Sequence, residues 1–317
     1  MDINTLLNTD IQHKKKINKR AGRAIGVALL SCALMLIIQL FLAWITPPYD
    51  NEVYGIIADI AMYVISIIIP FGFAKIIYVL FFEKDKDFVV KRATPKKPAL
   101  YIFGAVGAGY VLNLTVNLIL GWLIQNDDTS VMDVPETPLG ILLTYFMVAF
   151  LPAILEEWAF RGVLLKHLRP YGRKGAIIIS SFLFGLMHVD IARVIFATAF
   201  GLILAICYDY TGSIKVTMII HFINNAISVT AMIASERFPL LTLLLSLAIY
   251  AFMGVGIAAI IYYSITGLAR KRVSLLKPEK YGYKLTVPAF IRRSVLNLAV
   301  IPLLGIYIFY IILLYFS

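Results

Sequence analysis

Residues 154–164 read ILEEWAFRGVL and end a long apolar run. The carboxylates of Glu156 and Glu157 and the guanidinium of Arg161 lie where a membrane helix is normally still apolar. Charged side chains at membrane depth are costly and usually face the interior of the protein. The stretch therefore indicates either a charged helix end that anchors a span at the membrane surface or a functional site inside a helical bundle.

The composition of the chain indicates an integral membrane protein. Of the 317 residues, 61% are hydrophobic and 15% are charged, whereas an average soluble domain is about half apolar and about a quarter charged. Basic residues exceed acidic ones, 29 to 18, but their clusters lie between apolar runs. Such clusters are typical of cytoplasmic loops, so we expect contact with membrane lipid and no nucleic-acid partner. Cys32 and Cys207 lie inside apolar runs, and no disulfide is expected.

Apolar runs long enough to cross a bilayer recur along the whole chain. A bilayer requires about 20 consecutive apolar residues in a helix. The sequence therefore predicts an all-α fold, a polytopic transmembrane helical bundle of about eight or nine spans. Only HVDIAR, residues 188–193, separates the fifth candidate from the sixth. The nine candidates cover about residues 24–46, 53–82, 99–125, 139–165, 175–189, 191–209, 213–234, 239–265 and 294–316.

The charges of the loops predict an orientation. The basic cluster from Lys14 to Arg23 precedes the first span, and the segment from Arg270 to Arg293 is strongly basic. Residues 126–138 carry four acids and no base. Because basic loops remain on the cytoplasmic side, we predict a multi-pass protein of the cell membrane. Its amino terminus is expected in the cytoplasm and, after nine spans, its carboxyl terminus outside.

Two polar clusters interrupt the fourth and fifth spans. Glu157 and Arg161 are four residues apart and can pair along one helical face, while Glu156 points about 100° away. Phe184 and His188 are also four apart and share a face. By itself, a histidine in an apolar helix is more often a packed, hydrogen-bonded residue than a catalyst.

The third cluster is HFINN, residues 221–225, in the seventh span. His221 and Asn225 share a helical face, and Asn224 is turned away from it. Such side chains often form hydrogen bonds between membrane helices. A purely structural role therefore stays open for this cluster considered by itself.

Together, the three clusters indicate a chemical site. Counted from the flanking cytoplasmic loops, Glu156, His188 and His221 lie about 10, 14 and 8 residues into their spans, or roughly 12 to 21 Å deep. All three can meet in one cavity in the cytoplasmic half of the bilayer. There a carboxylate can act as general base on water, and one histidine can hold that water. A second histidine and an amide can donate hydrogen bonds to a developing oxyanion.

The same residues form three recognisable motifs. EEWAFR (156–161) matches E-E-x-x-x-R, FGLMH (184–188) matches F-x-x-x-H, and HFINN (221–225) matches H-x-x-x-N. In this order and inside membrane spans, they resemble the CPBP family of CAAX prenyl proteases and bacteriocin-processing or immunity membrane proteins. The resemblance covers about residues 139–235, and no motif residue is missing.

The resemblance implies an intramembrane endopeptidase with assigned residue roles. Glu156 would activate a water molecule that His188 also holds, and His221 with Asn225 would stabilise the oxyanion. The supporting residues would be Glu157, Arg161 and Phe184. The substrate would be a membrane-associated peptide or a lipidated protein, and no cofactor is expected.

Two alternatives stay open. A zinc metalloprotease could use the same residues, since two histidines and a glutamate form a plausible catalytic zinc set. A non-enzymatic bacteriocin-immunity protein is the other. Neither the motifs nor the composition decides between the three.

These considerations divide the chain into four parts. Residues 1–23 form a cytoplasmic basic amino-terminal segment, and 24–138 contain the amino-terminal spans. Residues 139–235 form the catalytic core, and 236–317 contain the carboxy-terminal spans.

Some other residues carry structural expectations. Gly104 and Gly107 are expected to allow close helix packing. Asn113 and Asn117 are expected to form interhelical bonds or to line a cavity, and His167, in a basic loop, to be solvated.

Overall fold

The computed structural model describes residues 3–46, 51–82, 98–123, 134–269 and 285–316. Throughout these ranges the regular secondary structure is helical, which confirms the all-α fold. The helices are α1 (Ile3–Ile45), α2 (Glu52–Phe81), α3 (Pro98–Leu123), α4 (Pro138–Tyr171), α5 (Arg173–Leu186), α6 (Ile191–Thr211), α7 (Ile214–Arg237), α8 (Pro239–Ala269), α9 (Val287–Val295) and α10 (Val300–Phe316).

The described ranges contain seven or eight candidate spans, where about eight or nine were predicted. Over the described ranges, seven helices are long and apolar enough to cross a membrane, and the pair α9 and α10, bent by 71°, raises the number to at most eight. The expected span 175–189 forms α5, which has only 14 residues. At 1.5 Å per residue α5 is about 21 Å long, short of the roughly 30 Å hydrocarbon core. The expectation of a polytopic helical bundle is confirmed, and only the segment 175–189 is too short to form a full span.

Helix α1 extends well beyond the first predicted span. Residues 3–23, predicted as a basic segment, continue into the same helix. On its inner face Ile17, Ala21 and Ala24 are buried, and their spacing of four and three residues forms one stripe. This small-residue stripe lets α1 pack closely on the bundle while the lysines of the same turns face outward.

Glycines bring α3 and α8 into backbone contact. A Cβ atom on Gly107 would lie 1.9 Å from the carbonyl oxygen of Phe252, and one on Gly256 would lie 2.3 Å from the amide nitrogen of Ala108. A Cβ on Gly104 would lie 2.9 Å from that of Ala259. Small residues at a membrane helix interface permit this approach. The predicted close packing at Gly104 and Gly107 is confirmed.

A buried carboxylate joins the ends of three helices. Asp209, near the end of α6, accepts a hydrogen bond from Nε of Arg169 at 2.7 Å and also binds Arg173. Arg169 ends α4 and Arg173 begins α5. The end of α6 therefore lies level with the turn between α4 and α5, so α5 and α6 run in and back as a hairpin.

His167 is buried, and the expectation that it is solvated is wrong. It retains 3% exposure, and its ring stacks on Tyr78 of α2 with centroids 4.5 Å apart. Its Nδ1 lies 2.6 Å from the carbonyl oxygen of Val163, one turn earlier in α4. The sequence placed this residue in a loop because the apolar run ends at Leu165, whereas α4 continues to Tyr171.

Two apolar clusters surround the place where the polar motifs meet. The larger one includes residues of α1, α2, α4 and α5, and the smaller one lies between α3, α6 and α7. The outward side chains of α8 and α10 are apolar and exposed, as expected of surfaces that face lipid. Of the motif residues, Phe184 belongs to the larger cluster, and Glu157, Arg161 and His221 are buried.

Candidate active site

Helix α4 is irregular on both sides of the two glutamates. Segments Tyr145–Phe150 and Trp158–Leu165 are π-helical and flank the α-helical turn Leu151–Glu157. Single π turns inside α-helices occur frequently at functional sites. Here they set the direction in which the glutamate side chains leave the helix.

Pro152 contributes to this irregularity. A proline has no N–H to donate to the carbonyl four residues earlier, which is that of Val148. The amide Nδ2 of Asn225 in α7 donates to this carbonyl oxygen at 3.0 Å. The side chain of Asn225 thus supplies the hydrogen bond that Pro152 cannot donate, and this bond sets the register between α4 and α7.

Glu157 is completely buried between a cation and an imidazole. Its Oε1 accepts from Nη1 of Arg161 at 2.7 Å and lies 3.1 Å from Nδ1 of His221. An ionised carboxylate only accepts hydrogen bonds, so Nδ1 of His221 carries the proton. Arg161 also donates to the carbonyl oxygen of Gly201 at 3.1 Å. The predicted pairing of Glu157 with Arg161 is present, and it fixes the ring of His221.

Glu156 has two oxygens in different surroundings. Oε1 accepts a hydrogen bond from the hydroxyl of Tyr63 at 2.6 Å. Oε2 is buried, has no hydrogen-bond partner in the described ranges, and lies 3.8 Å from Nε2 of His221. That separation is too long for a direct hydrogen bond. The adjacent glutamates thus point apart, as their spacing predicted. Oε2 of Glu157 also has no hydrogen-bond partner in the described ranges. The two carboxylates differ at Oε1, which binds the Arg161 cation in Glu157 and the neutral hydroxyl of Tyr63 in Glu156.

The ring of Phe184 connects both histidines with the buried ion pair. Its centroid lies 5.3 Å from that of His188 and 5.9 Å from that of His221, edge to face in both cases. The guanidinium carbon of Arg161 lies 4.6 Å from the same centroid. Cations and aromatic edges are favoured in such positions. Phe184 therefore packs at the centre of the motif residues.

His188 lies just beyond the end of α5 in a tight turn. Its Nδ1 lies 3.1 Å from the carbonyl oxygen of Phe184. Because a carbonyl only accepts, Nδ1 carries the proton, and Nε2 of the neutral ring is an acceptor. Val189 has φ of 58° and the amide of Asp190 donates to the carbonyl of His188 at 2.6 Å. A β-branched residue at positive φ is strained, so the surrounding contacts must hold the backbone that carries His188.

Asn224 is not independent of the site, contrary to the expectation that it is turned away. It is buried, and its Nδ2 donates to Oδ1 of Asn225 at 3.1 Å. Its backbone carbonyl accepts from the hydroxyl of Tyr110 at 3.3 Å. Asn225 thus receives one hydrogen bond and donates another, which holds its side-chain plane.

The sequence of this region matches a known family. Residues 138–227 match the family described as "Rce1-like: Type II CAAX prenyl endopeptidase Rce1-like". The chain contains an Rce1-like domain. The match confirms the resemblance over these residues, and it supports a membrane-embedded protease. No curated protein and no solved structure was found to match the chain.

Within the Rce1-like domain the motif residues meet to different degrees. Oε2 of Glu156 lies 3.8 Å from Nε2 of His221, and Oε1 of Glu157 lies 3.1 Å from Nδ1 of the same ring. His188 joins them through the ring of Phe184, and Asn225 binds the carbonyl oxygen of Val148 in α4, eight residues before Glu156.

Tyr63 was missed by the sequence analysis. It lies in α2, outside the Rce1-like domain, and the chain contains 18 tyrosines. One tyrosine in an apolar span carries no signal in the sequence, because its importance depends on the packing of α2 against α4.

The described side chains do not form a metal site as they lie. Across the described ranges no group of three or more His, Cys, Asp or Glu side chains is arranged to hold one, whereas a catalytic zinc normally has three protein ligands. Nδ1 of His221 is directed at Glu157 and Nδ1 of His188 at a backbone carbonyl, so Nε2 is the free nitrogen of each ring. Zinc-bound histidines are held through their other nitrogen in the same way, and the metalloprotease stays the alternative.

Two asparagines of α3 bind one another. Asn117 donates to Oδ1 of Asn113 one turn earlier. The expectation of interhelical bonds is not met at this pair.

Proposed function

We propose that this protein is a glutamate-type intramembrane endopeptidase that hydrolyses a peptide bond of a membrane-associated peptide or lipidated protein. One observation carries the proposal. The two oxygens of Glu156 differ, and Oε2 is buried, open and directed toward Nε2 of His221. A carboxylate so placed can act as a general base without a metal.

In this mechanism Oε2 of Glu156 removes a proton from water while the water oxygen bonds to the carbonyl carbon of the scissile peptide. The C–N bond then breaks, and the carboxyl group returns the proton to the leaving amine. Nε2 of His188 accepts a hydrogen bond from the second hydrogen of the attacking water and so holds this water in place. Its tautomer, set by the bond to the carbonyl of Phe184, supports this role.

Stabilisation of the oxyanion is assigned to His221 and Asn225. Glu157 holds Nδ1 of His221, so Nε2 is the nitrogen that faces the reacting carbonyl. The oxyanion role requires a proton on this Nε2, hence the doubly protonated ring. Asn225 uses one N–H for the carbonyl of Val148 and retains the second for substrate.

We further propose the orientation that the loop charges predict. The hairpin of α5 and α6 returns the chain to the level of Asp209, so the alternation of basic and acidic loops is retained. The amino terminus is then cytoplasmic and the carboxyl terminus outside. The loops that carry these charges, 83–97, 124–133 and 270–284, lie outside the described residues.

Cysteine labelling tests the orientation. Cys32 and Cys207 are both buried, so an impermeant maleimide should react chiefly with introduced cysteines. Ser130→Cys should react from outside intact cells, and Ser274→Cys only after the cells are opened. The reverse pattern would contradict the proposed orientation.

Peptide cleavage tests the function. Purified protein in detergent is incubated with internally quenched peptides, with and without a prenylated cysteine, and the products are identified by mass spectrometry. Cleavage at one bond that persists in chelator supports the proposal. Stoichiometric zinc, with activity lost in chelator and restored by zinc, would favour the metalloprotease. Bacteriocin immunity that is unaffected by Glu156→Gln would favour the non-enzymatic role.

A further inference from the structure

A side chain from outside the Rce1-like domain holds the candidate base. Helix α2 contributes Tyr63, whose hydroxyl donates to Oε1 of Glu156 at 2.6 Å. The ring of Tyr63 packs against the larger apolar cluster. The hydroxyl is therefore presented to the carboxylate from a ring that its neighbours immobilise.

Three other tyrosines of the bundle donate to backbone carbonyls, and the hydroxyl of Tyr145 lies 2.7 Å from that of Thr230. The hydroxyls of Tyr78, Tyr110 and Tyr307 donate to backbone carbonyls of Ala24, Asn224 and Val189. A backbone carbonyl suffices to satisfy a buried hydroxyl. Tyr63 is instead bonded to the one carboxylate that the proposed mechanism uses.

We infer that Tyr63 is a positioning residue that selects the working oxygen of Glu156. The terminal torsion of a glutamate is broad and roughly two-fold, so the carboxylate plane is not fixed by its own rotamer. The hydrogen bond from Tyr63 occupies Oε1 and thereby fixes the orientation of the carboxylate plane. Oε2, which lies 3.8 Å from Nε2 of His221, is then the oxygen that accepts the proton from water. The inference rests on the proposed function.

The inference also assigns a role to α2. Catalysis would depend on a helix that the match to residues 138–227 does not include. A small displacement of α2 relative to α4 would turn the carboxylate of Glu156. Misplacement of a reacting group by about 1 Å can lower a rate by about 10²-fold.

The test compares Tyr63→Phe with a matched control, Tyr78→Phe. Both tyrosines lie in α2, both donate one hydrogen bond, and both substitutions retain the ring. The substrate is the quenched peptide that the wild-type protein cleaves. We expect Tyr63→Phe to lower kcat by about 10- to 100-fold with KM within about twofold, while Tyr78→Phe retains the wild-type kcat per folded molecule.

A structural role for Tyr63 gives a different result. It would lower the melting temperature of Tyr63→Phe at least as far as that of Tyr78→Phe, with kcat per folded molecule unchanged, and this outcome would overturn the inference. Glu156→Gln in the same assay separates the two claims. If Glu156→Gln is inactive and Tyr63→Phe turns over normally, only the role of Tyr63 is lost. If Glu156→Gln turns over normally, the proposed function itself is lost.

Discussion

Nδ1 of His221 donates to Oε1 of Glu157 at 3.1 Å, so a fully buried carboxylate orients an imidazole from a different helix. The opposite nitrogen of the ring lies 3.8 Å from Oε2 of Glu156. Adjacent glutamates on α4 therefore contact the two nitrogens of one histidine. Oε1 of Glu157 is occupied by Arg161 and this ring, and Oε1 of Glu156 is occupied by Tyr63. Oε2 of each glutamate has no hydrogen-bond partner in the described ranges.

Removal of Arg161 should be strongly destabilising. Glu157 would remain buried without its cation, and breaking a buried pair in this way costs about 3–5 kcal/mol. Arg161→Lys keeps the charge but loses the planar fork that reaches both Glu157 and the carbonyl of Gly201. In detergent, the melting temperature should therefore be highest for wild type, lower for Arg161→Lys and lowest for Arg161→Ala. Equal melting temperatures for the two variants would show that the charge does not matter.

Asn225 has two proposed roles, which a second substitution can separate. Asn225→Ala removes a donor to the carbonyl of Val148, at about 1–2 kcal/mol of stability. It also removes an oxyanion donor, which should lower kcat by about 10²- to 10³-fold with little change in KM. Adding Pro152→Ala restores a backbone N–H for the same carbonyl.

The double variant Pro152→Ala with Asn225→Ala should regain thermal stability and remain slow. Unfolding curves and kcat per folded molecule are measured on the same preparations, with Pro152→Ala alone as control. If stability and turnover recover together, Asn225 acts through packing, and its assignment to the oxyanion is wrong.

The contact between α3 and α8 should tolerate a methyl group at one glycine and not at another. A Cβ on Gly256 would lie 2.3 Å from the amide nitrogen of Ala108, whereas one on Gly254 would meet nothing within 4 Å. Gly256→Ala should lower stability by about 1–3 kcal/mol through overpacking. Gly254→Ala should be neutral or raise stability by up to about 1 kcal/mol, because alanine favours a helix. A Gly256→Ala protein with the same melting temperature as wild type would refute the backbone contact.

Much of the fold was predictable because hydropathy reports directly on membrane spans. The pairing of Glu157 with Arg161 followed from a spacing of four residues, and the close packing at Gly107 from residue size. The short helix α5 was not predictable, since its second half is apolar and only residues 187–190 separate it from α6. Composition does not reveal where a helix ends inside a buried hairpin.

The finer geometry of the site depends on contacts between distant parts of the chain. The π-helical segments of α4 change the helical period. The hydrogen bond between Asn225 and the carbonyl of Val148 could therefore not be predicted from residue spacing. The burial of His167 requires Tyr78, and the orientation of Glu156 requires Tyr63, both in α2. Neither partner carries a sequence signal of its own.

The central claim is that Glu156 is the general base, and one comparison tests it most directly. Initial rates of peptide cleavage are measured for wild type and Glu156→Gln at equal concentrations of folded protein. Glutamine keeps the shape and can still accept from Tyr63, but it cannot take a proton from water. The account predicts a fall in kcat of at least about 10²-fold, with KM and melting temperature close to those of wild type. Cleavage by Glu156→Gln at the wild-type rate would contradict it.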